Sequence, residues 1–235
     1  MGSVEVVVSS GAREGALTMQ PVSILAARSS PLRVLALGAH CDDIEIGCGG
    51  TLLRLAGERE HLEVRWVTFS STPARAEEGR ASAAAFLEGV ARSEVTIGNH
   101  RDGFLPQAWA AVKEELEQIK RVYSPDLIFT HYRQDLHQDH RVVSDLTWNT
   151  WRNHTILEYE IPKYDGDLGA PNFFAPLPAA VLERKIALLL RHFSSQSGKA
   201  WFTPELFRAL PRIRGMECVA SEGLAEAFYC RKATF

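Results

Sequence analysis

Two short stretches of the chain concentrate side chains able to hold a metal or move a proton. Ala39–Gly50 reads AHCDDIEIGCGG, in which His40 and Cys41 precede the paired carboxylates Asp42 and Asp43. His131–His140 reads HYRQDLHQDH and holds three histidines and two aspartates in ten residues, more than a solvated loop usually collects. Imidazole nitrogen and carboxylate oxygen are both good zinc donors, and a catalytic zinc needs only three protein ligands, leaving a fourth position for water. His40 and one of the two aspartates supply two ligands. The other aspartate is left beside the metal, where a carboxylate can serve as general base. The third ligand must come from elsewhere, and the second stretch offers His137 and His140, three residues apart. If Asp139 and His140 open the following helix, both rings can face one crevice.

The elements that must position these groups follow from hydrophobic periodicity. Arg33–Gly38 (RVLALG) is short, apolar and ends in glycine, whereas Ile44–Leu55 carries apolar residues at helical spacing, so the first stretch is a strand, a tight turn and a helix. Asp126–Thr130 (DLIFT) is a second apolar strand, and it leads into the histidine-rich stretch. His61–Phe69, Ser93–Ile97 and His154–Tyr159 read as further strands, with Ser70–Pro73 as a turn. Helices are expected over Glu77–Val90, Trp109–Val122 and Leu182–Phe193. Glu160–Pro178 holds four prolines and reads as irregular; residues 201–235 supply one more helical stretch and a terminal strand near Ala227–Cys230. The alternation predicts an α/β protein with a Rossmann-like, mostly parallel sheet and helices on both faces. In such sheets ligands bind outside the carboxyl ends of the strands, where both stretches fall.

Two peripheral groups admit two readings each. Arg75 either makes a local helical contact with Glu78 or faces the crevice. Lys163, Tyr164, Phe173 and Phe174 either line a lid over a sugar ring or cover the edge of the core.

The pair AHCDDIEIGCGG and HQDH resembles the signature of the LmbE-like, or PIG-L, family of zinc-dependent N-deacetylases, which remove acetyl groups from N-acetylglucosamine-type sugars. RAEE at Arg75–Glu78, NHRDGFLP at Asn99–Pro106, HFSSQ at His192–Gln196 and AEAF at Ala225–Phe228 also resemble family blocks, so the likeness covers roughly residues 32–235. The resemblance implies His40, Asp43 and His140 as zinc ligands, with ferrous iron the other metal open to them. It implies Asp42 as general base, a protonated His137 facing the oxyanion, Asp139 supporting that charge from nearby, and Arg75 and Asp102 on the substrate. The substrate it implies is an N-acetylated amino sugar or its conjugate. One position departs from the pattern, because the family usually has proline where Cys41 stands. A thiolate is a soft zinc ligand, but alternation at a strand end points Cys41 away from His40, as a small buried hydrophobe.

The rest of the chain narrows the classes. A net charge of -3 gives no reason to expect nucleic acid. No apolar run approaches the ~18 residues of a spanning helix, and no secretory signal is expected. Four cysteines without CxxC pairing fit a reducing, cytoplasmic setting better than a disulfide framework. Residues 1–31 are expected to form a weakly ordered extension, with Val4–Val8 able to add an edge strand and Met19 an alternative start, ahead of one catalytic domain over 32–235. The sequence is compatible with a homo-oligomer. Three competing functions remain: a non-haem iron enzyme using His40, Asp42 and His140, a non-catalytic sugar-binding relative, and a dinucleotide-binding module. The last fails its fingerprint, since Leu52 occupies the position of the final glycine in GxGxxG.

Overall fold

The computed structural model describes Met19 and residues 31–234. The expectations for Val4–Val8 and for the extension around it lie outside the described residues.

The protein is an α/β fold built on one seven-stranded sheet. Its strands are β1 (Leu32–His40), β2 (Leu62–Ser70), β3 (Arg92–His100), β4 (Leu127–His131), β5 (Thr155–Tyr159), β6 (Phe173–Pro176) and β7 (Ala225–Cys230). They lie in the order β3-β2-β1-β4-β5-β7-β6. The first five are parallel, and β7 runs antiparallel to both β5 and β6. The order reverses between β1 and β4, which opens a crevice beyond their carboxyl ends. Both stretches rich in histidine and aspartate emerge there.

Among the described residues six helices cover the sheet: α1 (Asp43–Glu58), α2 (Pro73–Phe86), α3 (Trp109–Val122), α4 (Gln138–Thr150), α5 (Ala179–His192) and α6 (Pro204–Glu217). Ile44, Leu52, Phe86, Ile186 and Phe207 place α1, α2, α5 and α6 in one core layer. Val112, Leu116, Val143 and Leu146 place α3 and α4 in the layer on the other face. At Gly47 of α1 a Cβ would stand 2.1 Å from the Tyr159 ring, so only glycine lets this helix lie so close to β5.

Two expectations are corrected. The second helix spans Pro73–Phe86, not Glu77–Val90: Thr72 caps it by accepting from Arg75 N at 3.3 Å, and Pro73 takes the first turn, where its missing N–H costs nothing. Beyond Leu87 the chain turns through Gly89 at φ +84. The irregular stretch 160–178 contains β6, an edge strand that tolerates Pro176 at its end. Phe173 and Phe174 therefore pair against Phe228 and Ala227 on the sheet edge.

Candidate metal centre

The turn after β1 sets the geometry. Asp42 sits at φ 121, a conformation rare outside glycine, and although it caps α1 its side chain makes no cap hydrogen bond. Its carboxylate is instead turned toward the crevice, where Arg75 Nη2 lies 2.9 Å from Oδ2. Asp43, the first residue of α1, folds back to accept from His40 N at 2.6 Å.

Three donors converge. His40 Nδ1 lies 3.5 Å from Asp43 Oδ2, His140 Nε2 lies 3.5 Å from Asp43 Oδ1, and the two nitrogens are 3.3 Å apart. Bonds of about 2.0–2.1 Å at tetrahedral angles separate ligand atoms by about 3.3 Å, comparable to these spacings; the same residues also fall into the groups His40, His137, His140 and Asp43, His131, His140, each close enough to hold an ion. The outer nitrogens strengthen the fit. His40 Nε2 faces Asp139 Oδ2 at 3.2 Å and Asp102 Oδ1 at 3.1 Å, and His140 Nδ1 faces Asp135 Oδ2 at 2.9 Å. Each carboxylate fixes the proton on the far side of its ring and leaves the inner lone pair for a metal. Asp43 carries the oxygens that meet both rings, whereas Asp42 Oδ2 is taken by Arg75.

Burial opposes charge on His40, yet hydrogen bonds that its ring donates to Asp102, Asp139 and Asp43 hold its pKa well above the ordinary histidine value. The same carboxylates that attract a proton attract a divalent ion. For Asp43 burial is likewise overcome, by the charges of His140 and His131, and its pKa falls well below the carboxylate range. Burial and the nearby Asp43 charge push Asp42 up to about 7, although Arg75 pulls the other way. A carboxylate poised there can both take and return a proton near neutrality.

His137 and Asp139 stand at the start of α4. Asp139 Oδ2 and Oδ1 accept from Gly103 N and Leu105 N at 2.7 and 3.0 Å, Oδ2 meets His40, and the same charge also acts on His137. His137 is the cap of α4, and its Nδ1 accepts from Asp139 N at 3.3 Å. Burial and the His40 charge lower its pKa, while the Asp139, Asp43 and Asp135 charges pull the other way.

Arg75 and Asp102 both line the crevice, Asp102 with 74% of its side chain exposed. Arg75 satisfies parts of both its readings, for it reaches Glu78 at 3.2 Å as well as Asp42 and the Cys41 carbonyl. Of the four expected lid residues, Lys163 and Tyr164 line the crevice, joined by Gln196, Lys199 and Trp201. The crevice encloses about 490 Å³, within the range for small-molecule sites.

Two residues escaped sequence reasoning. Asp135 accepts from His137 N at 2.8 Å through Oδ1 while its Oδ2 meets His140, so it braces both histidines of the motif. Burial opposes its charge, but bonding to His140 and the charges of His140, His131 and Lys163 hold it well below the usual range. Its signal was its place in the same ten-residue cluster. His131, the last residue of β4, is fully buried, lies 3.1 Å from Asp43 Oδ2 and stacks on His140 at 3.9 Å. Only the strand end itself marked it in the sequence.

Residues 35–151 match the family model described as PIG-L: GlcNAc-PI de-N-acetylase. The uncharacterized deacetylase YaiS of Escherichia coli (strain K12) is 27% identical over 182 residues, covering 73% of this chain and 96% of that protein. The N,N'-diacetylchitobiose deacetylase of Pyrococcus horikoshii superposes with a TM-score of 0.66 at 22% identity, over 83% of this chain and 82% of that one. GalB of Pseudomonas putida KT2440, a 4-carboxy-2-hydroxymuconate hydratase, superposes at 0.71 with 16% identity, over 87% and 98%. The last two likenesses speak for the fold, and the hydratase among them means that the reaction must be argued from the site. Motifs, family match and fold agree, and the chain belongs to the PIG-L/LmbE family of deacetylases.

Proposed function

We propose that the protein is a metal-dependent hydrolase that removes an acetyl group from an N-acetylated amino sugar or its conjugate. The observation that carries this reading is the convergence of His40 Nδ1, His140 Nε2 and the Asp43 carboxylate beside a second carboxylate, Asp42. His40, Asp43 and His140 would hold zinc, or ferrous iron in the cell. When bound, such an ion supplies Lewis acidity and lowers the pKa of water.

The chain's own groups supply the proton traffic. Asp42 accepts the proton of the attacking water and returns it to the leaving amine, so that the new C–O bond replaces the C–N bond and acetate departs. Arg75 holds that carboxylate in place through the 2.9 Å contact. The neutral His137 presents Nε2–H to the oxygen that gains charge as the carbonyl becomes tetrahedral. Asp139 orients His40 through its 3.2 Å contact. Asp102, exposed at the mouth, and Arg75 are placed to meet substrate hydroxyls, and Trp201 and Tyr164 offer aromatic faces for a sugar ring.

No helix among the described residues is long and apolar enough to cross a membrane. The free thiols of Cys41, Cys48, Cys218 and Cys230 support a reducing, cytoplasmic setting for this chemistry. The decisive experiment is a mass-spectrometric screen of zinc-loaded and iron-loaded protein against N-acetylated sugars, their nucleotide and lipid conjugates and glycosides. Loss of acetyl from one class is expected. If none of them loses acetyl with either metal, the hydrolase reading fails.

A further inference from the structure

The crevice wall contributed by the segment after β5 is tied to the metal centre through one side chain. Lys163 Nζ lies 2.9 Å from Asp135 Oδ2, the oxygen that also meets His140 Nδ1. The same ammonium lies 2.5 Å from Asp167 Oδ2, which in turn accepts from Leu136 N at 2.7 Å. Lys163 is 10% exposed, and Asp135 and Asp167 are 3% and 6% exposed. Its neighbours Tyr164 and Asp165 line the crevice directly. Nothing in the proposed chemistry uses this lysine.

We propose that Lys163 is a positioning residue that, through Asp135, fixes the His140 imidazole for metal binding and at the same time seats the crevice wall carrying Tyr164 and Asp165. The inference rests on the reading of His140 as a metal ligand. Asp135 accepts from three donors, and only one of them, Lys163, comes from outside its own loop and helix. A buried carboxylate that loses its cation is strongly disfavoured and turns toward whatever solvent or donor it can reach. His140 then loses the acceptor that holds its far nitrogen. Loss of such an outer partner typically weakens metal affinity by about 10–100-fold. The direct charge effect has the opposite sign, because removing a cation near a divalent ion should tighten its binding. The direction of the change therefore separates positioning from charge.

The test measures the zinc dissociation constant by competition with a chromophoric chelator in wild type, Lys163→Met, Lys163→Arg, Asp135→Asn and the double variant Lys163→Met/Asp135→Asn. Weaker zinc binding by about tenfold or more is expected for Lys163→Met, with recovery in Lys163→Arg. On the Asp135→Asn background the lysine substitution should add little, since both act on one path. Hydrogen exchange across residues 160–172 should rise in Lys163→Met. Unchanged or tighter zinc binding in Lys163→Met, or full additivity in the double variant, overturns the proposal while leaving the metal reading intact. Wild type that binds no zinc or iron overturns both. Should Lys163→Met fail to fold, Lys163→Gln takes its place in the same cycle.

Discussion

Two clusters of buried charge flank α1, and they are partnered in opposite ways. Midway along the helix, Glu226 of β7 accepts from Gly50 N, Thr51 N and Thr51 Oγ1 at 2.8, 2.7 and 2.6 Å and pairs with Lys185 Nζ at 2.7 Å. Lys185 gives a further bond to Ile46 O at 2.6 Å. A Cβ at Gly50 would stand 2.8 Å from Glu226 Oε1, so the glycine is what admits the carboxylate. At the N-terminus of the same helix, Asp42 has a strained backbone, no cap bond and a raised pKa, and it looks into a crevice. One cluster is saturated with partners and fixes α1 to β7 and α5. The other opens onto a crevice, which is where a protein tolerates local cost for chemistry.

The contrast predicts that damage at the two ends separates into rate and stability. Asp42→Asn should retain metal and fold while kcat falls by about 10²–10⁴, because an amide cannot take the proton. Metal analysis, denaturation and single-turnover kinetics check the three statements. Near-normal turnover would remove Asp42 from the mechanism. Glu226→Ala should do the reverse, costing about 3–5 kcal/mol in chemical denaturation by leaving the Lys185 ammonium buried without its carboxylate. The folded fraction should keep its zinc affinity and its kcat. A selective loss of kcat with stability intact would dissolve the distinction between the two clusters.

How much of this was legible depended on whether a signal was local. The site candidates stood in two contiguous stretches, each at the end of an apolar run, so His40, Asp42, Asp43, His137, Asp139 and His140 could be picked out together. The saturated cluster joins residues 41 to 176 positions apart, and neither Lys185 nor Glu226 differs locally from a surface charge on a helix or strand. The same limit hid β6, whose pairing with β7 is made across the chain, and the bracing role of Lys163. The error in α2 was of another kind. Thr72-Pro73 is a local start signal, and it was outweighed by the alanine run that follows.

The charge state of the His137 ring is the next test. His137→Ala should lower kcat by about 10²–10³, as for loss of one oxyanion donor, with zinc content and KM little changed. A neutral ring donating from Nε2 imposes no alkaline limb of its own. If the alkaline side of the wild-type profile disappears in His137→Ala, the ring acts as a cation and the neutral-donor reading fails.

The smallest effect is expected at Cys41, where the sequence departs from the family pattern. A Cβ on Gly79 of α2 would lie 2.8 Å from its Sγ, so the sulfur packs into the helix layer. The residue is 3% exposed and belongs to the core that contains Ile44 and Phe86. Burial, with Glu45 adding to it, pushes the thiol up to about 12, so the thiolate that a metal would need is scarce at neutral pH. Cys41→Ala should therefore leave zinc stoichiometry and affinity unchanged and cost only about 1 kcal/mol, the loss of a small buried side chain that its neighbours partly refill. Equilibrium denaturation reads the second quantity and the chelator competition reads the first. A variant that binds zinc appreciably more weakly while remaining folded would make Cys41 part of the metal centre and Asp43 its rival.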